Sequence, residues 1–496
     1  MIDKLEVADL LVLADGARMA SGADWADLWT ALCEHTEARD FEAARQVRKS
    51  RVTAELGGYP YYDHELIPLW LTKHGYSMTF DGKFVRGPQT VDTDYVWRKL
   101  RSWNAHPTIK LFDSESLKGA LLNWMDEERI RLLADAHEFV KYDGEDADHA
   151  KLRHFVETII APDEDPVRHE RNIKAAMIAL RAFMHRVKCH LAAAAGISHP
   201  KGQLWWQHKS HLMPIFYGPQ GAGKSTAIDA LCAWLDERCM KAGASFSIVS
   251  QNSDRSLNYQ LSVMPVMVFD EMAGIQKAEV ADLKRTMMES TQMMRQAYGI
   301  GGSRTLVTTF IGASNRSIEH NIQDSTGSRR FYQIEVRPVP QHEIVNFDFL
   351  AMWRAVDEKA VSPQHESTEA KELMALAQEE QRFTSPVEDW LASESTTITY
   401  GRKKQAADWY KESFSHYMNE TAPGQAKHWS AKRLAEELRR IAKERPELGV
   451  DAEVVRGADG SHKGWRFRLK RPQDDYPSRS KVVDIVTRRT VENATE

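Results

Sequence analysis

His211-Leu-Met-Pro-Ile-Phe-Tyr-Gly-Pro-Gln-Gly-Ala-Gly-Lys-Ser-Thr226 is an apolar run, a glycine-rich loop and the opening of an amphipathic segment, in that order. Met213 to Tyr217 reads as a buried strand, the glycines cannot continue it, and Ile228, Leu231 and Leu235 repeat at helical spacing over Lys224 to Leu235. Gly218, Gly221, Gly223, Lys224 and Ser225 fit the pattern G-x-x-x-x-G-K-[ST] without departure. Such a loop turns consecutive backbone N–H groups inward around phosphates, with the partial positive charge of a helix N-terminus behind them. The expected cradle is therefore Gly218, Pro219, Gln220, Gly221, Ala222, Gly223, Lys224, Ser225 and Thr226. Lys224 is expected to reach the β and γ phosphates of ATP, and the Ser225 hydroxyl to ligate Mg²⁺.

Working outward, the parts of a nucleotide-hydrolysing core follow in order. Val263 to Phe269 is an apolar strand that ends in Asp270 and Glu271, where an open α/β sheet places its ligand groups. Asp270 is expected to hold Mg²⁺ and Glu271 to polarise the attacking water; an acid pair after a strand can also be a helix cap. A helix is expected over 277–294. Arg295 to Arg304, including Tyr298, reads as a glycine-tipped hairpin or loop carrying cations, and Thr305 to Ile311 as the strand after it. That strand runs into Gly312-Ala-Ser-Asn315, which makes Asn315 the candidate to orient the lytic water, or else a turn residue. Arg329 and Arg330 stand before a strand, Phe331 to Val336, and are candidates for stabilising charge on a phosphate, often in a neighbouring subunit, or for a surface salt bridge.

Taken together, Gly218 to Ser225, Phe269 to Glu271, Arg295 to Arg304, Ile311 to Asn315 and Asp324 to Tyr332 resemble the virulence-associated protein E family of phage and prophage replication ATPases, relatives of the superfamily 3 helicases. Asp-x-Thr-Gly-x-Arg-Arg-Phe, here Asp324 to Phe331, is the most specific element, and the resemblance spans residues 140–395. It implies an α/β P-loop core of AAA+ and superfamily 3 type, a hexameric ring with ATP at subunit interfaces, and translocation on single-stranded DNA through a central channel. The Arg295 to Arg304 element resembles the pore-facing hairpin of those helicases, and Arg329 or Arg330 their arginine finger. Many members carry a primase domain; this chain shows no convincing catalytic set for one, so a primase or polymerase is expected in trans.

The remaining segments carry less chemistry. Residues 1–56 read as a helical cap, 57–140 as a small α+β domain with a hairpin turning at Asp81-Gly82, and 141–200 as a helical collar. The core is assigned to 201–345, a helical extension to 346–398 and a flexible tail to 472–496. Asp143 to Asp148 reads as a solvated, helix-capping loop rather than a catalytic acid cluster. His185, Cys189, His190, His199, His208 and His211 follow no standard metal spacing.

Residues 399–471 suggest a winged helix: two helices, then strands around Gly457-Ala-Asp-Gly460. Basic residues outnumber acidic ones there, making Lys432, Arg433, Arg439, Arg440, Lys463 and Arg466 candidate contacts to duplex phosphates, or ordinary solvated cations on a protein-interaction module. The whole chain is otherwise slightly acidic, 66 basic residues against 71 acidic, so any nucleic-acid surface is local. No apolar run approaches membrane-spanning length, Met1-Ile-Asp-Lys-Leu-Glu lacks a secretory pattern, and the four cysteines show no C-x-x-C pair, which together lead to an expected cytoplasmic location.

Overall fold

The computed structural model describes residues 41–105, 111–202, 205, 211–244, 263–272, 277–288, 291–294, 302–305, 308–317, 330–381, 385–392, 406–422, 429–445, 448, 450–456, 462–469 and 483–484. They fall into two compact units that divide after Gln381.

The first unit opens with α1 (Phe41–Leu56) and α2 (Asp63–Lys73), a small antiparallel sheet of β1 (Ser77–Met78), β2 (Phe84–Arg86) and β3 (Gln89–Val91), then α3 (Thr93–Asn104) and α4 (Ser114–Val140). The β1–β2 turn sits where Asp81-Gly82 indicated, with Gly82 at φ +86 and its N–H bonded to the Thr79 carbonyl at 2.9 Å. The expected boundary at residue 56 is not one in packing: Val52 and Leu56 of α1 share a core with Leu66, Trp70, Phe84, Leu100 and Leu121. Asp92 and Asp113 cap α3 and α4 with their carboxylates.

Next come α5 (Ala150–Ile159) and the 29-residue α6 (Pro166–Ala194), which starts with Asp165 as cap and proline in its first turn. Asp146 accepts from the N–H groups of Ala150 and Lys151 at 3.0 and 3.2 Å, so the acid-rich loop serves as a cap. The C-terminal half of α6 is buried almost all round because it lies across the main sheet, packing on three of its strands.

That sheet contains β4 (Met213–Tyr217), β5 (Lys241–Ala244), β6 (Val266–Phe269), β9 (Thr309–Ser314) and β10 (Phe331–Glu335), in the order β10-β4-β9-β6-β5 and parallel throughout. Its inner strands are buried along their length, as expected when helices cover both faces. Between them lie α7 (Lys224–Leu231), α8 (Ala233–Asp236), α9 (Lys277–Met288) and a separate antiparallel pair, β7 (Thr291–Met294) with β8 (Gly302–Thr305). The helix expected over 277–294 therefore stops at Met288, and its last residues pair as a strand. The strand expected from Thr305 is split, Thr305 closing the hairpin and Thr309 opening β9. After β10 the chain forms α10 (Gln341–Val345), α11 (Phe349–Arg354) and α12 (Thr368–Glu380). Among the described residues no helix is long and apolar enough to cross a membrane.

The second unit comprises α13 (Pro386–Ala392), α14 (Ala406–Thr421), α15 (Ala431–Glu444) and an antiparallel sheet of β11 (Val450–Arg456), β12 (His462–Leu469) and β13 (Val483–Asp484). Trp390, Phe414, Met418, Leu434, Leu438 and Ile441 form its core. Two sequence expectations change here: α13 belongs to this unit rather than to an extension over 346–398, and Val483–Asp484 of the expected tail adds a third strand.

One buried ion pair joins the collar to the stretch after α11. Lys188 Nζ lies 2.8 Å from Glu358 Oε2, both side chains being wholly inaccessible, and also donates to the carbonyls of Trp353 and Val356. Burial opposes both charges. It takes Lys188 below its ordinary value, while for Glu358 burial is offset by Lys188 together with a backbone N–H and His137, which hold the carboxyl below its own. Lys188→Met should therefore destabilise the fold by about 3–5 kcal/mol by leaving a buried carboxylate without its ammonium, beside His137 at 3.7 Å and the Tyr142 N–H at 3.3 Å, and Lys188→Met/Glu358→Leu should recover most of the loss. Urea midpoints for the two variants test this; an unshifted single variant would contradict it.

Candidate functional site

Strand register brings the expected residues together. Tyr217 of β4 pairs with Ser314 of β9, and Phe269 of β6 pairs with Gly312 of the same β9. Gly218, Asn315 and Asp270-Glu271, each following one of these strands, consequently emerge side by side along one sheet edge. β9 lies between the other two strands, so Asn315 lies between the P-loop and the acids. The Gly218 N–H donates to the Ser314 carbonyl at 3.3 Å, and the Met272 N–H to the Ala313 carbonyl at 2.9 Å, which fixes both junctions to β9. Ser314 Oγ, bonded to the Arg316 carbonyl at 2.6 Å, pins the turn that presents Asn315.

The loop is shaped by glycine at positions where any other residue would be strained. Gly223 adopts φ +86 and precedes α7; a Cβ there would meet Ile344 Cδ1 at 2.5 Å and the Val339 carbonyl oxygen at 3.4 Å. A Cβ on Gly218 would run into the Val336 carbonyl oxygen. Gly312 is similarly enclosed, its Cβ position lying 2.5 Å from Met272 Sδ and 2.9 Å from Met213 Cε. The segment Val336 to Ile344 thus closes on the loop from behind, held in place by the bonds of Val336 N–H to the Tyr217 carbonyl at 2.7 Å and Arg337 N–H to the Ile159 carbonyl at 2.9 Å. Nothing in the sequence of this segment pointed to it; only its place after β10, the strand beside β4, makes it part of the site.

Lys224 is buried, and its ammonium group donates to the carbonyls of Gly218 at 2.9 Å and Pro219 at 2.8 Å and to Asn315 Oδ1 at 2.9 Å. The Asn315 amide nitrogen in turn donates to Glu271 Oε2, and its backbone N–H to Oε1 at 3.4 Å. An unbroken chain of hydrogen bonds runs from cation through amide to carboxylate. Burial lowers the Lys224 pKa from its ordinary value, with the charge of Glu271 opposing the fall. Ser225, in the first turn of α7, and Asp270, just beyond β6, are both exposed at this edge.

These groups suit a magnesium–triphosphate ligand. The loop's glycines leave backbone room, an ammonium sits among carbonyls that phosphate oxygens could replace, and a hydroxyl and a carboxylate of the kind that hold Mg²⁺ stand on neighbouring elements.

Arg330 is not in this group. It precedes β10, whose Phe331 pairs with Met213 at the start of β4, so Arg330 lies at the opposite end of the strand from Gly218, roughly 20 Å away at the usual rise per residue. Arg329, Arg295 and Tyr298 lie outside the described residues. Arg304 is on β8, in register with Gln292.

In the second unit Lys432 and Arg433 are exposed in the first turn of α15, with the Arg433 guanidinium 4.4 Å from the centre of the Trp429 ring. Arg439 donates to the Ala435 carbonyl at 3.3 Å. Arg440 differs from the rest: its guanidinium binds the buried carboxylate of Glu388 and also Glu437 at 2.6 Å, so it ties α15 to α13. Arg466 is in register with Glu453 on one side and Asp484 on the other, and Lys463 falls where the β11–β12 register slips, between the pairs Gly464–Val455 and His462–Arg456.

Comparisons with known proteins agree with the family resemblance over a narrower stretch. Residues 189–385 match the family model for the virulence-associated protein E-like domain. No curated protein matches. Solved structures similar to the chain include the apo C-terminal region of NrS-1, at 12% identity and a TM-score of 0.36 over 81% of this chain and 98% of that one. JCV helicase is similar at 13% identity and a TM-score of 0.24, over 55% of this chain and 78% of that one.

Gly223→Ala should lower stability by about 1–3 kcal/mol, since alanine must take a left-handed conformation against Ile344. An unchanged denaturation midpoint would contradict the observed closure of Val336 to Ile344 on the loop.

Proposed function

We propose that the chain, whose residues 189–385 match the family model for the virulence-associated protein E-like domain, is an ATP-dependent DNA helicase or replication initiator of a phage or integrated element. The observation that carries the reading is the Lys224–Asn315–Glu271 chain at the ends of three adjoining parallel strands. Lys224 exchanges the Gly218 and Pro219 carbonyls for phosphate oxygens. Asn315, already bonded to both neighbours, holds the lytic water in line, and Glu271 takes its proton. Ser225 and Asp270 would hold Mg²⁺, which when bound neutralises phosphate charge.

The position of Arg330 supports a shared site. A guanidinium at the far end of β10 cannot reach its own chain's Lys224, so it, or the adjacent Arg329, serves a neighbouring subunit, and the subunits form a ring, hexameric by the family resemblance. Single-stranded DNA passes the hairpin Thr291–Thr305, with Arg295, Tyr298 and Arg304 as contacts. The second unit engages duplex DNA through Lys432, Arg433 and Arg439 on α15 and through Lys463 and Arg466 on β12; Arg440 is proposed as a brace for that surface instead of a contact, because Glu388 and Glu437 hold it. A primase or polymerase acts in trans, in the bacterial cytoplasm.

ATP turnover with and without forked DNA separates this motor from a nucleotide-switched assembly. DNA should stimulate the wild type, and Lys224→Ala should abolish nucleotide binding. Glu271→Gln should keep binding and lose roughly 10²–10⁴-fold in rate. Mixing Glu271→Gln with Arg330→Ala subunits should restore part of the activity. Turnover indifferent to DNA would identify a non-motor ATPase, and full activity of Lys224→Ala would remove the site assignment altogether.

A further inference from the structure

The junction of α1 and α2 exposes two tyrosines, Tyr61 and Tyr62, beside the half-buried Tyr59, which packs against the core of the first unit. Gly57, at φ +78, ends α1 with its N–H on the Thr53 carbonyl, and Tyr59-Pro-Tyr-Tyr62 leads into α2. Tyr61 and Tyr62 are 68% and 62% exposed, and among the described residues they are the aromatic members of the exposed large hydrophobic side chains. Scattered exposed apolar groups are ordinary, but adjacent exposed rings on a braced turn are not.

The turn is held in a single shape. Glu65 Oε2 accepts from the backbone N–H groups of Tyr61 at 2.8 Å and Tyr62 at 3.3 Å, which fixes both residues from below. The rings pair with their neighbours: Tyr59 meets Tyr61 edge-on at 5.4 Å, and Tyr62 stacks on His64 at 5.5 Å with planes 14° apart. Lys49 Nζ lies 5.0 Å from the centre of the Tyr59 ring and 5.5 Å from that of Tyr61. The acids of the same turn are engaged inward, Glu65 on backbone N–H groups and Asp63 on the Ser116 hydroxyl and the His64 N–H. What faces solvent is a set of flat π-surfaces with an ammonium beside them.

We propose that Tyr61 and Tyr62, with Tyr59, His64 and Lys49, form a stacking platform for single-stranded nucleic acid. Bases of a single strand offer free faces that a duplex keeps stacked, and aromatic side chains interleaved with a cation bind them without regard to sequence. The cation answers the phosphate backbone. This site is separate from the Lys224 site, and it stands whether or not the chain hydrolyses ATP.

The test uses the full chain without nucleotide and a thymidine oligonucleotide carrying 5-bromodeoxyuridine, irradiated and mapped by peptide mass. Crosslinks should fall on Tyr61 or Tyr62, drop at least about tenfold in Tyr61→Ala/Tyr62→Ala and persist in Tyr61→Phe/Tyr62→Phe, since the rings and not the hydroxyls carry the contact. Lys49→Ala should lower the salt dependence of the crosslink yield by about one unit of slope. Unlabelled single strand should compete and blunt duplex should not. Because both rings are exposed, the alanine pair should keep the wild-type melting temperature, and a loss of crosslinking with intact melting is the expected result. Crosslinks confined to other peptides, an unchanged yield in the alanine pair, or equal competition by duplex would overturn the proposal.

Discussion

A buried ammonium that must be surrounded by oxygen is the constraint around which the first unit is arranged. Lys224 is taken out of water by the loop it terminates, and an unpaired cation there would be costly. Three acceptors meet it: two carbonyls of its own loop and the amide oxygen of Asn315. None of the three carries a full negative charge, and Asn315 links the lysine to the Glu271 carboxylate. The lysine is therefore solvated but not neutralised. That leaves a positive potential at the loop, the arrangement expected of a site whose ligand is an anion.

The parallel sheet makes this possible because its register leaves little freedom. A one-residue slip of β9 against β4 or β6 would turn Asn315 to the other face of the sheet and break the link between lysine and glutamate. Burial of the inner strands on both faces, with α6 across one of them, resists such a slip. Gly312 permits the close approach of Met213 and Met272 that seats β9 between its neighbours. The hydrogen bonds of Val336 and Arg337 carry the same order to the segment that closes on Gly223.

Much of this was legible in the chain itself. The strand–loop–helix order of Met213 to Leu231 and the identities of Lys224, Asp270, Glu271 and Asn315 follow from apolar runs punctuated by glycine and ended by polar residues. Boundaries set by pairing were not legible. Thr291 to Met294 continues the helical character of α9 in sequence, yet pairs with Gly302–Thr305, a preference that only the partner strand reveals. The closure by Val339 and Ile344 depends on tertiary proximity and left no local signature. Arg440 looked like its neighbours on α15, but Glu388 on another helix captures it, and charge counting along one segment cannot see a partner some fifty residues away. What distinguishes Tyr61 and Tyr62 is their exposure, which depends on how the turn between α1 and α2 packs and which residue type alone does not reveal.

The central claim is that Lys224, Asn315 and Glu271 form one nucleotide site. The most direct measurement is a co-crystal structure with magnesium and a nonhydrolysable ATP analogue. The account predicts the triphosphate along Gly218 to Ser225, Lys224 Nζ withdrawn from the Gly218 and Pro219 carbonyls onto phosphate oxygens, and Asn315 beside the terminal phosphate. A nucleotide bound elsewhere, or Lys224 still on its own loop carbonyls with the analogue present, would contradict it.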